Sequence, residues 1–164
     1  MPDMLVKLYD LPDPRPAIQR AESHGLRIRT AMAYERSRVR RWIAEHFSEG
    51  WADEAEACFG RQPITCWVAV DEDSGGMLGF ACGDATARGL FGPTGVDESQ
   101  RGKGLGAALL LASLDQLKRL GYGYAVIGGV GPEDFYAKAC GAVTIPDSEP
   151  GVYPRAISPV APTD

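Results

Sequence analysis

Histidine and paired cysteine are scarce in this chain. Among its 164 residues only His24 and His46 are histidines, and none of the four cysteines forms a C-x-x-C pair. A Ser-His-Asp catalytic triad and a histidine-rich metal site are therefore not expected, and we predict no metal ion. The cysteine spacing also argues against a disulfide framework, and free, partly buried thiols in the cytoplasm fit it best.

Positive charge and long apolar runs are missing as well. The formal net charge is −5, which argues against general binding to nucleic acids or to a membrane surface. The longest apolar run covers residues 107–112, whereas a membrane span needs about 20 residues. The first residues lack the basic and then apolar pattern of an export signal, so we expect a cytoplasmic location.

Glycine, by contrast, is abundant and concentrated. Fifteen of the 20 glycines lie from Gly75 to Gly131, although 45% apolar and 24% charged residues are typical of a folded chain. The length suits a single domain over residues 1–164, with an N-terminal extension at 1–25 and a loose tail at 154–164. A glycine-rich window inside such a fold indicates a backbone that approaches another molecule closely.

Hydrophobic periodicity predicts a mixed α/β sheet. Residues 5–9 are predicted to form a short strand or an extended arm. Further strands are predicted at 26–30, 66–71, 77–83, 89–96, 124–127 and 142–145, and helices at 39–47, 49–59, 104–120 and 133–139. The proline-broken stretch 11–16 is predicted to lack regular structure, with only a helical turn at 18–21. A hairpin joining the third and fourth strands, followed by a helical crossover, favours a sheet that is partly antiparallel and partly parallel.

Residues 101–106, Arg-Gly-Lys-Gly-Leu-Gly, lie between a predicted strand and the strongest predicted helix. The three glycines place bare backbone at the first turn of that helix, where free N–H groups and the helix dipole favour an anion. The side chains of Arg101 and Lys103 add positive charge. This segment therefore predicts a phosphate-binding loop.

Two nucleotide-binding motifs fit this loop less well. A Walker A loop requires a serine or threonine after its lysine, and the chain has Gly104 there. The dinucleotide fingerprint G-x-G-x-x-G/A is formally met by Gly102, Gly104 and Ala107, but no acidic residue ends the strand predicted at 124–127. A nucleotide-binding domain is therefore the least favoured of the three hypotheses that we consider.

The loop resembles the coenzyme A loop R-x-x-G-x-G/A of the GCN5-related N-acetyltransferase (GNAT) family. Val96 lies five residues before Arg101, where the cofactor-pairing strand of that family ends. Residues 135–142 are similar to the family's F-Y-x-K-x-G-F segment, with one extra residue before the glycine and an alanine in place of the last phenylalanine. The resemblance covers residues 77–142, and the two predicted helices before them fit the family layout.

This resemblance implies a mixed, mostly antiparallel central sheet flanked by helices, with one splayed strand pair that holds an acyl-coenzyme A. It also implies an enzyme that uses acetyl-CoA to acetylate a primary amine of a small molecule, by direct attack of the amine on the thioester. The family pattern assigns the pantetheine arm to Thr94, Gly95 and Val96, and the pyrophosphate to Arg101, Gly102, Lys103, Gly104, Leu105 and Gly106.

The same resemblance makes Tyr136 the acid that protonates the departing thiolate. The chain departs from the family at two places. Gly129 replaces an asparagine that contacts the cofactor in many relatives, and residues 89–96 lack the glutamate that often acts as base. If a base is needed, Asp84 and Glu54 are the candidates.

The acceptor side is less well defined by the sequence. Trp51 and Phe47 lie on the segment that covers the acceptor cleft in this family, and we expect them to shape a pocket or to pack. The acceptor could be an amino acid, a polyamine, an antibiotic or an amino sugar. The sequence also leaves open whether the protein forms a homodimer. A catalytically weak coenzyme-A-binding sensor or regulatory module is our second hypothesis.

Overall fold

A computed structural model of the protein describes residues 1–158. In this part of the chain seven strands form one sheet, and five α-helices lie around it. The strands are β1 (Met4–Lys7), β2 (Leu26–Thr30), β3 (Cys66–Asp71), β4 (Met77–Gly83), β5 (Leu90–Val96), β6 (Tyr124–Ile127) and β7 (Val143–Thr144). The α-helices are α1 (Arg15–Glu22), α2 (Arg36–His46), α3 (Glu49–Ala57), α4 (Leu105–Arg119) and α5 (Glu133–Cys140), and short 3-10 helices lie at Leu8–Asp10, Ala33–Glu35, Cys58–Gly60 and Glu98–Gln100.

The strand order across the sheet is β2-β3-β4-β5-β6-β1-β7. All neighbouring strands pair antiparallel except β5 and β6, which are parallel and are joined through α4. A parallel pair needs such a crossover because a tight hairpin joins only antiparallel strands. The predicted mixed, mostly antiparallel sheet flanked by helices is therefore confirmed.

β5 and β6 separate after a short pairing. Their register contains only Leu90 opposite Val126 and Phe91 opposite Ile127. Beyond these pairs β5 continues whereas β6 ends, and Gly92 has a positive φ of 117°. One edge of β5 is therefore open from Gly92 onwards, and a gap lies beside it.

The two faces of the sheet carry separate hydrophobic cores. Alternation along β3 and β4 sends Val68 and Phe80 to one face, and Ala69 and Ala81 to the other. The first pair packs with α2 and α3, whereas the second packs with α4, whose leucines are almost fully buried. Because α4 is held in this way, the loop at its N-terminus has a rigid support.

Two local expectations from the sequence are wrong. Residues 11–16 do not all lack regular structure, because α1 begins at Arg15. Pro16 lies in the first turn of this helix, where its missing N–H needs no partner and its fixed φ suits the helix. The first strand ends at Lys7 and not at Tyr9, since the chain turns there into a 3-10 helix.

The first 25 residues supply elements of the sheet and of its helical layer. β1 pairs with β6 on one side and β7 on the other, and α1 packs against α4. All four cysteines are buried and free. Residues 154–158 form no regular element, and the remainder of the predicted loose tail, 159–164, lies outside the described residues. We find no helix within residues 1–158 that combines the length and apolar content of a membrane span.

Candidate active site

The turn between β5 and α4 contains two residues with a left-handed backbone. Gly102 has a φ of 76°, and Gly104, the N-cap of α4, has a φ of 81°. A residue with a side chain pays roughly 1–2 kcal/mol for this conformation, and glycine adopts it freely. The path of the backbone therefore requires glycine at both positions.

This turn presents a row of backbone N–H groups that are not used within the fold. The N–H of Arg101 donates to the carbonyl of Glu98 (3.3 Å), and the next N–H with a backbone acceptor is that of Ala108, which donates to Gly104 (3.1 Å). Over the described part of the chain, the six N–H groups between them have no backbone acceptor. Together with the positive end of the α4 dipole, this donor set fits an anion.

A pocket of about 320 Å³ lies against this turn and is called the loop pocket below. Val96 and Phe135 border it. The ammonium of Lys103 lies outside the lining, 3.4 Å from the side-chain oxygen of Gln100. The other predicted pyrophosphate residues all line the pocket, namely Arg101, Gly102, Gly104, Leu105 and Gly106.

Asp97 fixes the start of the turn. Its carboxylate accepts hydrogen bonds from the hydroxyl (2.5 Å) and the N–H (2.9 Å) of Ser99, and these bonds hold the pKa of Asp97 below its usual value. The Nε2 atom of His46 lies 3.6 Å from the same carboxylate. Because His46 ends α2, this contact connects the turn to the helix that packs on the sheet face of Val68 and Phe80.

The open edge of β5 offers further backbone donors. The N–H of Asp97 donates to the carbonyl of Leu78 in β4 (2.9 Å). Backbone groups point to alternate edges along a strand, so the N–H groups of Thr94 and Val96 point away from β4 and towards the gap. The row of donors at the loop pocket is thus continued along β5.

Thr94 and Gly95 complete this stretch of β5. The hydroxyl of Thr94 donates to the carbonyl of Phe80 in β4 (2.9 Å). The ring of Phe47 lies over Gly95, and it stacks on Trp51 with the ring centroids 5.4 Å apart. The two aromatic residues therefore cover β5 next to the gap.

A second cavity, of about 640 Å³, opens where β5 and β6 separate and is called the cleft below. Thr94 lines it from β5, Ile127 and the turn 128–131 from the β6 side, and Tyr136 from α5. Consecutive residues of α5 serve the two cavities, since Phe135 borders the loop pocket and Tyr136 the cleft. The two cavities therefore adjoin along β5 and α5.

Tyr136 is only 8% exposed. Its ring meets those of Phe91 and Phe135 edge-on, with centroids 6.4 Å and 5.0 Å away. Burial, and to a lesser extent the nearby thiol of Cys140, raises the pKa of Tyr136 above its usual value. The phenol therefore carries its proton at neutral pH and can act as an acid in the cleft.

Glu54 lies in the same cleft as Tyr136. It projects from α3, and the spacing of three residues places Trp51 on the same face of that helix. The hydroxyl of Thr86 donates a hydrogen bond to the carboxylate of Glu54 (2.5 Å). A carboxylate at this place is able to accept a proton from a molecule bound in the cleft.

Asp84, the other candidate base, does not line the cleft. Its side chain is almost fully buried and accepts hydrogen bonds from the N–H of Gly89 (2.7 Å) and the hydroxyl of Tyr122 (2.9 Å). The guanidinium of Arg88 lies 3.8 Å away. These contacts hold the turn between β4 and β5, which gives Asp84 a structural task.

The model of the acetyltransferase (GNAT) family matches residues 17–142, which is most of the chain. The chain belongs to the GNAT family. The matched residues include the glycines of the loop pocket, the open edge of β5 and Tyr136. A comparison with curated protein sequences finds no match.

Solved structures share the GNAT fold at low sequence identity. The GCN5-related glucosamine N-acetyltransferase region of a fungal multi-domain GH3 β-N-acetylglucosaminidase has a TM-score of 0.71 at 16% identity, covering 88% of this chain and 19% of that chain. A GCN5-related N-acetyltransferase from Sphaerobacter thermophilus has a TM-score of 0.65 at 24% identity, covering 88% of this chain and 48% of that chain. A tandem GNAT protein from the clavulanic acid biosynthesis pathway has a TM-score of 0.56 at 19% identity, covering 87% of this chain and 49% of that chain. The likeness concerns the fold alone, and the chain spans about half or less of each of these proteins.

Within this GNAT domain, Gly129 is held by a residue that sequence reasoning missed. The N–H of Gly129 donates to the carboxylate of Asp3 (2.9 Å), which is 6% exposed. Asp3 therefore helps to shape the turn 128–131 at the cleft. A lone aspartate near the start of the chain gives no sequence signal for such a role.

Tyr153 is a second residue of the cleft that the sequence did not indicate. It belongs to the segment after β7 and lines the cleft on the side of β6. Burial and then the negative charge of Glu54 raise the pKa of Tyr153 to about 12. No motif contains Tyr153, because its neighbours in the cleft come from distant parts of the sequence.

Proposed function

We propose that this chain is an acetyl-CoA-dependent N-acetyltransferase that acetylates a primary amine of a small molecule by direct attack of the amine on the thioester. The observation that carries this proposal is the adjoining of the two cavities. Phe135 and Val96 border the donor-rich loop pocket, whereas Tyr136 and Thr94 line the cleft. A ligand with a diphosphate at one end and a reactive group at the other fits this arrangement.

The residues present are suited to acetyl-CoA, which supplies an activated acetyl thioester when bound. The six free N–H groups after Arg101 are donors for a diphosphate, and Arg101 adds a positive charge. The N–H groups of Thr94 and Val96 are donors for a chain lying along β5. A donor aimed at the oxygen of the reacting carbonyl contributes about 10²–10³ in rate in such sites.

Two side chains of the cleft would move protons. The phenol of Tyr136 carries a proton at neutral pH, because burial raises its pKa, and would give it to the departing sulfur. Glu54 would take one proton from the ammonium form of the acceptor, so that a neutral amine attacks. Asp84 does not line the cleft and is almost fully buried, so we assign it no part in the reaction.

A small-molecule acceptor is favoured by the size of the cleft and by the charge of the chain. About 640 Å³ lies within the range of small-molecule sites, roughly 300–1,000 Å³. The net charge of −5 disfavours nucleic acids and membrane surfaces as partners. We also propose a cytoplasmic location, since four free cysteines suit a reducing compartment.

Thermal unfolding in the presence of different ligands tests the cofactor. Acetyl-CoA at 100 times its Kd is expected to stabilise the protein by about 2.7 kcal/mol and to raise its Tm. NAD and ATP at equal concentrations are expected to leave Tm nearly unchanged. Stabilisation by NAD or ATP alone contradicts the proposal and favours a nucleotide-binding domain.

A free-thiol assay for coenzyme A release across a library of primary amines tests the reaction. The library includes amino sugars, amino acids, polyamines and arylalkylamines, and we expect release that depends on the amine. Tight binding of acetyl-CoA without release for any amine contradicts the transferase and favours the coenzyme-A-binding sensor.

A further inference from the structure

The segment after β7 is anchored to the start of the chain. The N–H of Ile145 donates to the carbonyl of Asp3 (2.8 Å), and the N–H of Asp3 donates to the hydroxyl of Ser148 (2.8 Å). Beyond these anchors the segment reaches the cleft, where Pro150 and Tyr153 line it. Tyr153 lies beyond residue 142, where the match to the GNAT family ends, so family membership assigns it no role.

The ring of Tyr153 occupies space left by a missing side chain. A Cβ on Gly128 would stand 2.6 Å from Cε2 of Tyr153 and 2.9 Å from Cγ1 of Val152. Gly128 directly follows β6, and its φ is not positive, so the close approach of Tyr153 is the reason for glycine there. The end of β6 and the segment after β7 are thus fitted to each other.

Aromatic rings stand on both sides of the gap. Trp51 belongs to the β5 side, since it stacks on Phe47 and meets Phe80 of β4 edge-on, with ring centroids 6.4 Å apart. Tyr153 belongs to the β6 side through its contact with Gly128. Trp51 is 38% exposed and Tyr153 36%, and both line the cleft, so both offer surface to a molecule bound there.

Glu54 is the charged side chain of this space. Among the described residues that line the cleft, it alone carries an ionised side chain. Its charge is the second cause, after burial, that raises the pKa of Tyr153 to about 12, so the phenol of Tyr153 stays protonated beside the carboxylate. A cationic ammonium group therefore finds a counter-charge here, and aromatic faces add attraction for it.

The other lining groups are poor partners for a second polar group of an acceptor. Phe91, Pro93, Ile127, Val130 and Pro132 are apolar. No described residue of the lining has a cationic side chain, and the α-ammonium of Met1 already pairs with Glu149 (3.2 Å). A carboxylate or phosphate on the acceptor would therefore lack a free counter-charge, and burying an unpaired charge is costly. An amino sugar would meet few polar side chains besides Glu54, since the hydroxyls of the lining are those of Thr94, Tyr136 and Tyr153, and the Thr94 hydroxyl already donates to Phe80.

We propose that the space between Trp51, Glu54 and Tyr153 is the acceptor subsite, and that it takes a primary amine of single positive charge with an aromatic body. This inference rests on the proposed acetyltransferase function. Tyr153 and Trp51 hold the aromatic body from the two sides of the gap. Glu54 binds the ammonium group and takes one of its protons, which leaves the neutral amine to attack. The second proton, which the nitrogen loses as the amide forms, replaces the one that Tyr136 gives to the departing sulfur.

Steady-state kinetics of the full chain with three amines test the substrate class. 2-Phenylethylamine has the proposed features, phenylalanine adds a carboxylate, and glucosamine replaces the aromatic body by hydroxyls. We expect kcat/KM for 2-phenylethylamine to exceed both others at least about tenfold, because unpaired polar groups are strongly rejected. A value for glucosamine or phenylalanine that equals or exceeds it overturns the subsite while leaving the acetyltransferase function intact. No release of coenzyme A with any amine overturns both.

Variants of Tyr153 test its role, because they should change the kinetics for the amine and leave KM for acetyl-CoA unchanged. Tyr153→Ala removes one wall, and Gly128→Ala displaces the ring by occupying its space; both are expected to abolish the preference for 2-phenylethylamine. Tyr153→Phe keeps the ring and is expected to retain the preference, with KM for the amine nearly unchanged. In all three, KM for acetyl-CoA is expected to stay unchanged, which also shows that the domain is folded.

Matched substitutions outside the cleft serve as controls. Tyr34 is 75% exposed and does not line the cleft, so Tyr34→Phe should leave all constants unchanged. A Cβ on Gly123 would meet no atom within 4 Å, so Gly123→Ala is the control for Gly128→Ala. An unaltered amine preference in Tyr153→Ala overturns the assignment of Tyr153, whether or not Gly128→Ala folds.

Discussion

The ring of Phe47 fills the space that a side chain on Gly95 would need. A Cβ at this position would stand 2.7 Å and 2.8 Å from Cε1 and Cε2 of that ring. Because Gly95 lies in the open part of β5, this packing brings an aromatic residue of the helical layer directly over the strand edge beside the cleft. The wall of the cleft therefore depends on the absence of a side chain at Gly95.

Gly95→Ala is expected to destabilise the protein by about 1–3 kcal/mol, because an added methyl group overpacks the contact with Phe47. Urea unfolding measures this change. Gly123→Ala is the control, since a Cβ on Gly123 would meet nothing within 4 Å. Equal unfolding free energies for the two variants would show that Phe47 yields without cost.

Gly104→Ala is expected to weaken acetyl-CoA binding, with KM raised about tenfold by the loss of a charge-assisted hydrogen bond at the turn. Gly121→Ala is a matched control at the other end of α4. Both glycines have positive φ, 81° and 103°, and open space around them, so both variants should lose about 1–2 kcal/mol of stability. If KM for acetyl-CoA rises equally in both, the loop pocket does not hold the diphosphate.

Much of the loop pocket could be predicted from the sequence because its parts are consecutive. The glycines between Arg101 and Gly106 adopt a turn that they favour locally, and α4 follows with a strong apolar pattern. The strand that leads into this turn ends at Val96, as expected. Local conformational preferences and the helix terminus determine most of this geometry, and the distant contacts are few, such as that of Asp97 with His46.

The acceptor side could not be predicted in the same way, because it depends on contacts between distant segments. Asp84 and Glu54 look alike as candidate bases in the sequence, and only the packing of α3 beside the gap places Glu54 in the cleft. Asp3 and Tyr153 come from the two ends of the described chain and meet the turn after β6. Periodicity and motifs carry no information on such meetings.

Glu54→Gln is expected to lower activity and Asp84→Asn to lower stability. Glu54→Gln should lower kcat by about 10²-fold or more, because general base catalysis contributes that much, while the free energy of unfolding stays nearly unchanged. Asp84→Asn should instead cost about 1–3 kcal/mol of stability, since it weakens buried hydrogen bonds to Gly89 and Tyr122. Rates and urea unfolding of both variants distinguish the roles. A kcat loss of 10²-fold in Asp84→Asn alone would exchange the assignments.

Tyr136→Phe is expected to lower kcat by ~10²–10⁴ and to leave the affinity for acetyl-CoA nearly unchanged, because only the proton donor is lost. Tyr34→Phe, at an exposed site away from the cleft, is the control. An unaltered kcat in Tyr136→Phe would remove this residue from the role of acid.

The pH dependence of kcat checks the same role. The pKa of Tyr136 is raised above its usual value of 10.0, so its acid form is present throughout the neutral range and is lost only as pH rises through that raised pKa. We therefore expect no fall in kcat caused by Tyr136 between pH 7 and 9. A fall in this interval that disappears in Tyr136→Phe would show that Tyr136 loses its proton there, which would contradict a raised pKa.

Transfer of a labelled acetyl group tests the central claim most directly. The purified protein is incubated with acetyl-CoA that carries a ¹³C-labelled acetyl group and with 2-phenylethylamine or another amine that releases coenzyme A, and the products are followed by mass spectrometry. Direct transfer within the cleft predicts N-acetylated amine that carries the label, in equal amount to the free coenzyme A. Free coenzyme A accompanied by labelled acetate, without acetylated amine, would contradict it.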